Sequence, residues 1–404
     1  MLERAAFWLA LGSAVAGSVS IAISQILLGA ALACLLAGRM PWRVPRHWAG
    51  LAFFAAWTLL SLAFSDAPSK GVPQIRKFFV WLLLFVVLTT FRTLADARLL
   101  TLGWVAGATL SALRGLWQFG AKYQHAVATG QEFYANYVAS RITGFNSHWM
   151  TFSGQLMIAL LFGAAYLCWG KPRPRERWLL LVGLPIIALA LLLAFTRGIW
   201  IATALGIVYL AWYWKRWTIA LIPLAALVAF LAGPAGLRER MTSILKPRGE
   251  MDSNLHRVYT FRVGVEMIRA HPLLGLGPER VGPHVQEYIP KDLPQRLPEG
   301  YYGHLHNIYI HLSAERGIPA MLGLLWFLLA TQWDWLKRLH RGAGGAEWLL
   351  RAGVATMLGI LITGLFEYNL GDSEVLGMTA AFIGAVCAAS TQVQPVEQLN
   401  GQRG

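Results

Sequence analysis

Apolar runs of about 20 residues recur along most of this 404-residue chain, each closed by charged residues or by Pro and Gly. A run of that length crosses the hydrocarbon core of a bilayer as a helix, which satisfies its backbone N–H and C=O groups internally. Composition agrees, with 56% of residues hydrophobic and 14% charged, against roughly 25% charged in a soluble globular chain. An ordinary soluble enzyme and a disordered chain are both excluded. The expected fold class is an all-α polytopic membrane protein with about twelve transmembrane helices.

The run over 5–38 exceeds one span and divides best near Gly17-Ser18. The other spans are expected at 48–64, 77–92, 98–120, 148–169, 178–195, 198–214, 216–233, 306–336, 347–367 and 373–390. Met1-Leu-Glu-Arg4 enters the first run without a small-residue cleavage site and reads as a retained anchor. Lys and Arg favour alternate loops, at 39–46, 92–98, 171–177, 215–216 and 337–341. The positive-inside rule assigns those loops, and both termini, to the cytoplasm. The net charge of +15 therefore reads as topology. No nucleic acid is expected, because the basic residues are divided among short loops without an aromatic-basic groove. Cys34, Cys168 and Cys387 lack redox or metal spacing and read as small hydrophobes.

Four parts follow: transmembrane helices one to nine over 1–233, a large periplasmic loop over 234–305, helices ten to twelve over 306–390, and a cytoplasmic tail over 391–404. The large loop holds ten Lys or Arg and eight Asp or Glu. Within it, Val258, Phe261, Val265 and Ile268 recur at helical spacing. That pattern suits a helix lying on the membrane surface or capping a cavity between spans. A smaller outer loop covers 121–147. Chemistry is expected at this external face, where ATP and nucleotide sugars are absent.

Thr196-Arg197-Gly198-Ile199-Trp200 places a guanidinium between two apolar runs. Burial near lipid costs several kcal/mol unless the charge is paired or hydrated. Arg197 is either a snorkelling helix-end residue or an anion site, since guanidinium grips phosphate through two parallel hydrogen bonds; Gly198 would let the backbone approach a bulky anion. Gly303-His304-Leu305-His306-Asn307-Ile308-Tyr309 leads into the tenth span. Histidine suits proton abstraction near neutral pH, and a helix N-terminus keeps the imidazole neutral. The alternatives are a hydrogen-bonded structural pair, or a metal site of His304, His306 and His311 that lacks any HExxH pattern; no metal is expected. His271-Pro-Leu-Leu-Gly-Leu-Gly277-Pro278 reads as a turn framework and lacks the strand and third glycine of a dinucleotide fingerprint. Around it Arg257, Arg262, Arg269 and Arg280 form either a solvated face or, beside Arg197, a diphosphate clamp. Arg114 and Glu367 fall in apolar runs, as in a transporter pathway, yet the two related halves common in transporters are absent.

The motifs Arg141-Ile-Thr-Gly144-Phe, Thr196-Arg197-Gly198-x-Trp200, Arg257 ahead of His271-Pro-Leu-Leu-Gly-Leu-Gly277, and His306-Asn307-x-Tyr309 occur in that order. Together they resemble the O-antigen ligase (WaaL) family, within the membrane superfamily of O-antigen ligases and polymerases. The pattern departs at Ala320, which replaces the last glycine of a Gly-x-x-Gly beginning at Gly317, and at Asn146-Ser147-His148, where many relatives carry Pro-Asn. The resemblance implies transfer of O-antigen glycan from undecaprenyl diphosphate to a hydroxyl of the lipid A–core. The reaction would run at the periplasmic face of the bacterial inner membrane, amid membrane lipids, without metal or cofactor and with inversion. His306 would be the general base, and Arg197 and Arg257 the diphosphate clamp, with Arg141 and Arg262 as further candidates. Asn307, Tyr309 and His304 would orient the base or a sugar hydroxyl. The competing readings are an O-antigen polymerase, a protein O-oligosaccharyltransferase and, in a different class, a lipid or glycan transporter.

Overall fold

The computed structural model describes residues 1–233, 235–242, 253–297 and 299–390. Among the described residues the chain is all-α, with sixteen α-helices and no strand. The N-terminal half runs α1 (Leu2–Ala16), α2 (Ile21–Ala37), α3 (Trp48–Ala63), α4 (Pro68–Thr90), α5 (Leu94–Thr129), α6 (Phe133–Ala139), α7 (Trp149–Trp169) and α8 (Pro174–Leu193). It continues with α9 (Arg197–Trp214), α10 (Leu221–Ala232), α11 (Ala235–Thr242), α12 (Ser253–Ala270) and the short α13 (Val281–His284). Last come α14 (Ile308–His340), α15 (Glu347–Thr363) and α16 (Ser373–Ser390).

Each expected apolar run carries a helix. The first divides at the turn after Ala16, and the Thr196-Arg197 division falls between α8 and α9. By length and composition α4, α5, α7, α8, α14 and α15 suffice to cross a membrane, while α2, α3, α10 and α16 are apolar and shorter. The chain is a polytopic membrane protein. Two helices exceed the expected spans. α4 begins at Pro68, where the fixed φ of proline suits a first helical turn, and its charged start at Lys70, Arg76 and Lys77 lies ahead of the apolar run. α5 opens on a Thr93–Asp96 capping box and runs on to the left-handed Gly130. The expected tail over 391–404 lies outside the described residues, as do 243–252 of the large loop.

Several polar side chains between helices find backbone partners. Ser13 and Ser24 donate hydroxyl hydrogens to each other's carbonyls at 2.8 Å, joining α1 to α2. Trp104 Nε1 donates to the Ala14 carbonyl at 2.8 Å, and Gln155 Nε2 to that of Gly17 at 2.7 Å. α4 pairs with α16, α3 with α14, α5 with α8, and α15 with both α7 and α9.

The large loop folds over one end of this bundle around its own small core, with Val263, Met267, Val281, Val285 and Leu305 buried. The buried face of α12 is Thr260, Val263, Gly264 and Met267. Of the expected apolar stripe, Val258 and Phe261 are exposed. The reason is close packing: a Cβ on Gly264 would stand 2.4 Å from Ile310, so the glycine face docks on α14.

α14 is broken at Gly317, whose φ of 83° and ψ of 159° suit glycine alone. The His271–Pro278 framework docks in this break. Leu276 and Gly277 donate N–H groups to the carbonyls of Ala314 and Glu315 at 2.9 and 2.8 Å, and Ile318 donates to that of Pro272 at 2.9 Å. The glycines of the motif thus serve backbone-to-backbone approach; a Cβ at Gly275 would lie 2.4 Å from the Glu315 carbonyl carbon. Glu315 and Arg316, both buried, pair at 2.8 Å, and Arg316 reaches Gln74 Oε1 at 3.1 Å. Gln74 Nε2 donates to Glu279, and the Glu279 N–H donates to Glu315 at 2.9 Å. These bonds fix where the large loop rejoins the membrane helices.

Candidate active site

His306 stands on the turn into α14 with φ 48°, a left-handed backbone costly for a residue with a Cβ. Its neighbours hold it there. Asn307 caps α14, its Oδ1 accepting from the N–H groups of Tyr309 and Ile310 at 3.0 Å, while Nδ2 donates to the Leu365 carbonyl at 3.1 Å. Tyr309 donates its hydroxyl to the Leu361 carbonyl at 2.6 Å, and Ile308 N–H bonds the Gly364 carbonyl at 2.8 Å. The His-Asn-x-Tyr motif therefore clamps the start of α14 onto the end of α15. These bonds of Asn307 and Tyr309 hold the histidine-bearing turn.

That clamp brings His306 to Glu367, just beyond α15, with Nδ1 3.4 Å from Oε2. The other carboxylate oxygen accepts from Arg257 Nη2 at 2.6 Å, and Arg257 Nε donates to the Phe366 carbonyl at 3.1 Å. Burial alone would raise the Glu367 carboxyl, but Arg257 and His306 outweigh it and hold it below the usual carboxylate range. His306 and Glu367 line a cavity of about 300 Å³, with His148, His304, Ile199 and Asp372 also on its walls. Its size falls at the lower end of the range of small-ligand sites. Burial pushes Asp372 up to about 6 despite a 2.8 Å bond from Thr151.

His256 of α12 lies ring to ring with His306 at 4.7 Å and stacks on Tyr301 at 3.8 Å. Burial first, then the charges of His306 and Arg257, push its imidazole down to about 4. Its Nε2 is buried with no hydrogen-bond partner among the described residues. His304 packs against Tyr368 and His311, and burial with His311 nearby lowers it to about 4. Both rings are neutral at physiological pH. Among the described residues, no three His, Cys, Asp or Glu converge as a metal-holding group.

Arg257 pairs with Glu367, Arg141 lies in the field of both, and Arg240 lies near Arg141. Arg141, buried, lies 4.9 Å over the Trp149 ring and donates Nε to the Val138 carbonyl at 3.1 Å. Burial foremost, then Arg240 and Arg257 against Glu367, push its guanidinium down to about 9, so it keeps its charge in a field dominated by cations. Arg240 of α11, also buried, donates Nε to the Phe195 carbonyl at 3.0 Å. Phe195 holds a second left-handed backbone, φ 52°, and its ring packs on Tyr137, which bonds the Leu193 carbonyl at 2.6 Å. This strained turn sets Arg197, buried, at the start of α9. Gly198 beside it is required by Phe366: a Cβ would stand 2.8 Å from the Phe366 Cβ. The glycine expected to admit an anion thus admits the turn that carries Glu367.

The fold accordingly brings His306, His304, Arg257 and Arg141 of the sequence-derived candidates to one region, with Arg197 on the adjoining helix start. Arg262 goes elsewhere. It pairs with Asp292 at 2.8 Å on the outer surface of the loop, in an exposed contact. Arg269 pairs with Glu266, and Arg280 with Asp66 and His284. Sequence reasoning missed Arg240 and His256, which sit in a loop crowded with charge and carry no motif. It noted Glu367 only as an intramembrane acid, and His148 only as a departure from the family pattern.

Residues 182–325, from within α8 to the middle of α14, match the family model described as O-antigen ligase. No curated protein matches the chain significantly. The matched stretch includes Arg197, Arg240, Arg257, Asn307 and Tyr309, together with His304, His306 and Ile199 of the cavity wall; the rest of the wall comes from α7, α15 and the segment up to Val375. This chain is thus a polytopic membrane protein whose residues 182–325 match the family model described as O-antigen ligase.

Proposed function

We propose that the chain is a glycosyltransferase that moves O-antigen glycan from undecaprenyl diphosphate to a hydroxyl of the lipid A–core, at the periplasmic face of the bacterial inner membrane. One observation carries this reading: a histidine on a strained turn shares a cavity with the carboxylate it contacts, beside the guanidiniums of Arg141, Arg240 and Arg257. The cavity lies at the end of the bundle opposite the basic loops 39–46, 171–177 and 337–341, which supports an external active site by the positive-inside rule.

The chemistry follows from the contacts. A carboxylate accepting the Nδ1–H of His306 leaves Nε2 as the acceptor nitrogen. Nε2 takes the proton of the acceptor hydroxyl as its oxygen bonds to the anomeric carbon. The bond from that carbon to the diphosphate oxygen breaks, and its electron pair leaves with the diphosphate. Guanidiniums stabilise the charge that develops there without a metal ion. Glu367 stabilises the imidazolium formed in the same step. A single displacement of this kind inverts the anomeric configuration.

The test is transfer by the purified chain in detergent with EDTA, given an undecaprenyl-diphosphate glycan and one acceptor at a time. Glycosylated lipid A–core is the expected product. Transfer only to a second lipid-linked glycan, or only to a peptide hydroxyl, would replace the ligase assignment by a polymerase or a protein glycosyltransferase. Movement of the donor across a bilayer without any transfer would overturn the enzymatic reading.

A further inference from the structure

At the end of the bundle opposite His306 lies a second pocket, of about 120 Å³, several times the space that one water needs. The 39–46 segment forms it against the C-terminal ends of α4, α14 and α16. Arg43, Arg46 and Arg338 line it, with Asp334 as its carboxylate. Asp334 is already engaged, by His47 at 2.8 Å and Arg46 at 3.5 Å. Arg43 is held in place, its N–H donating to Thr89 Oγ1 at 3.1 Å and its Nη1 to the Leu88 carbonyl at 3.3 Å. The lining charges are thus three guanidiniums against one carboxylate.

A second feature points to a ligand. Thr331 lines the pocket at 3% exposure, and its Oγ1 has no hydrogen-bond partner among the described residues. The buried Thr58, Thr101 and Thr203 satisfy their hydroxyls by donating to the carbonyl four residues back, at 2.7 to 2.9 Å; Thr331 shares its lack of a partner with Thr356 and Thr379, but of the three only Thr331 lines this pocket. The Thr331 hydroxyl is a donor left over, beside three guanidiniums. An oxyanion accepts from both kinds of group.

The surroundings name its source. Trp42 on the connecting segment, Trp48 at the start of α3 and Trp333 on α14 adjoin the pocket residues in sequence and are exposed. Tryptophan rings settle at the headgroup level of a bilayer, and basic pockets between helices at that depth take phosphorylated headgroups. We infer that this pocket binds the phosphodiester headgroup of an anionic phospholipid, in the leaflet opposite the His306 cavity. Arg46 and Arg338 contact the phosphate oxygens and Thr331 donates to one of them. The site is separate from the glycosyl-transfer reading and does not depend on it.

The experiment uses the full chain, delipidated in mild detergent, with phosphatidylglycerol or phosphatidylcholine of identical acyl chains. Bound lipid is counted by native mass spectrometry, and sodium phosphate forms a third arm. Phosphatidylglycerol is expected to be retained at least about tenfold over phosphatidylcholine, and Arg46→Gln with Arg338→Gln to abolish that preference, since charge-assisted hydrogen bonds are lost. Equal retention of the two lipids by the unaltered chain, or an undiminished preference in the double variant, would overturn the inference. Displacement of phosphatidylglycerol by sodium phosphate at equal concentration would assign the pocket to a free anion and overturn the lipid source. Should the double variant not fold, Thr331→Val, which keeps the side-chain shape, decides: reduced preference supports the site and unchanged preference overturns it.

Discussion

Replacing Glu367 by Gln removes one charge and keeps the side-chain shape, at a group whose side chain is 4% exposed. Two partners are affected. His306, 3.4 Å away, loses the carboxylate that stabilises its protonated form in the transfer step. A hydrogen bond to a charged group contributes about 1.5–3 kcal/mol, so turnover should fall about 10- to 100-fold. Arg257 loses its 2.6 Å ion-pair partner. Breaking a buried pair costs about 3–5 kcal/mol, and the empty variant should unfold at a lower temperature. A bound diphosphate restores negative charge beside Arg257, so the KM for the lipid donor should not rise. The assay is steady-state transfer with donor and acceptor varied separately, on Glu367→Gln and on Glu367→Asp, which keeps the charge and should recover part of the rate. An unchanged kcat, or a loss confined to KM, would refute the positioning role of Glu367.

Other perturbations test neighbouring parts. Arg257→Lys should lower kcat/KM at least about tenfold because an ammonium cannot replace a planar two-pronged donor, whereas Arg262→Ala, which removes a surface pair with Asp292, should leave transfer at the wild-type level; both are read in the same assay. Gly317→Ala should destabilise the fold by more than about 3 kcal/mol, since its backbone suits glycine alone and the new Cβ would meet the Leu273 carbonyl oxygen at 1.7 Å; thermal unfolding in detergent measures it. His256 is held down to about 4 in the folded chain and lies near 6.5 when unfolded. Between those values the unfolded state binds more protons, so stability falls as pH drops from about 6.5 toward 4, and His256→Asn should flatten that part of the melting-temperature profile.

The bundle was legible because each span is a run of apolar residues, and such runs name their helices whatever packs against them. The turn near Gly17 and the start of α9 at Arg197 were marked by small or charged residues at points where a helix had to end. The inward face of α12 was not legible: glycine at 264 makes a docking surface by what it lacks, and an apolar stripe of Val258 and Phe261 conceals that. His306 and Arg197 stood out because a charge or an imidazole at a membrane helix end must be compensated. The partner of His306 was hidden. Glu367 is 61 residues from His306 and 110 from Arg257, and Arg240 reaches the site by bonding the Phe195 carbonyl 45 residues away. Only the packing of α12 and α15 around the start of α14, and of α11 beside α6, reveals those pairings.

His306 is proposed to take the acceptor proton. His306→Ala should lower single-turnover transfer by about 10²- to 10⁴-fold while binding of the undecaprenyl-diphosphate glycan, measured on the same preparation, stays near that of the unaltered chain. Transfer at an undiminished rate, or loss of donor binding in proportion to loss of rate, would contradict it.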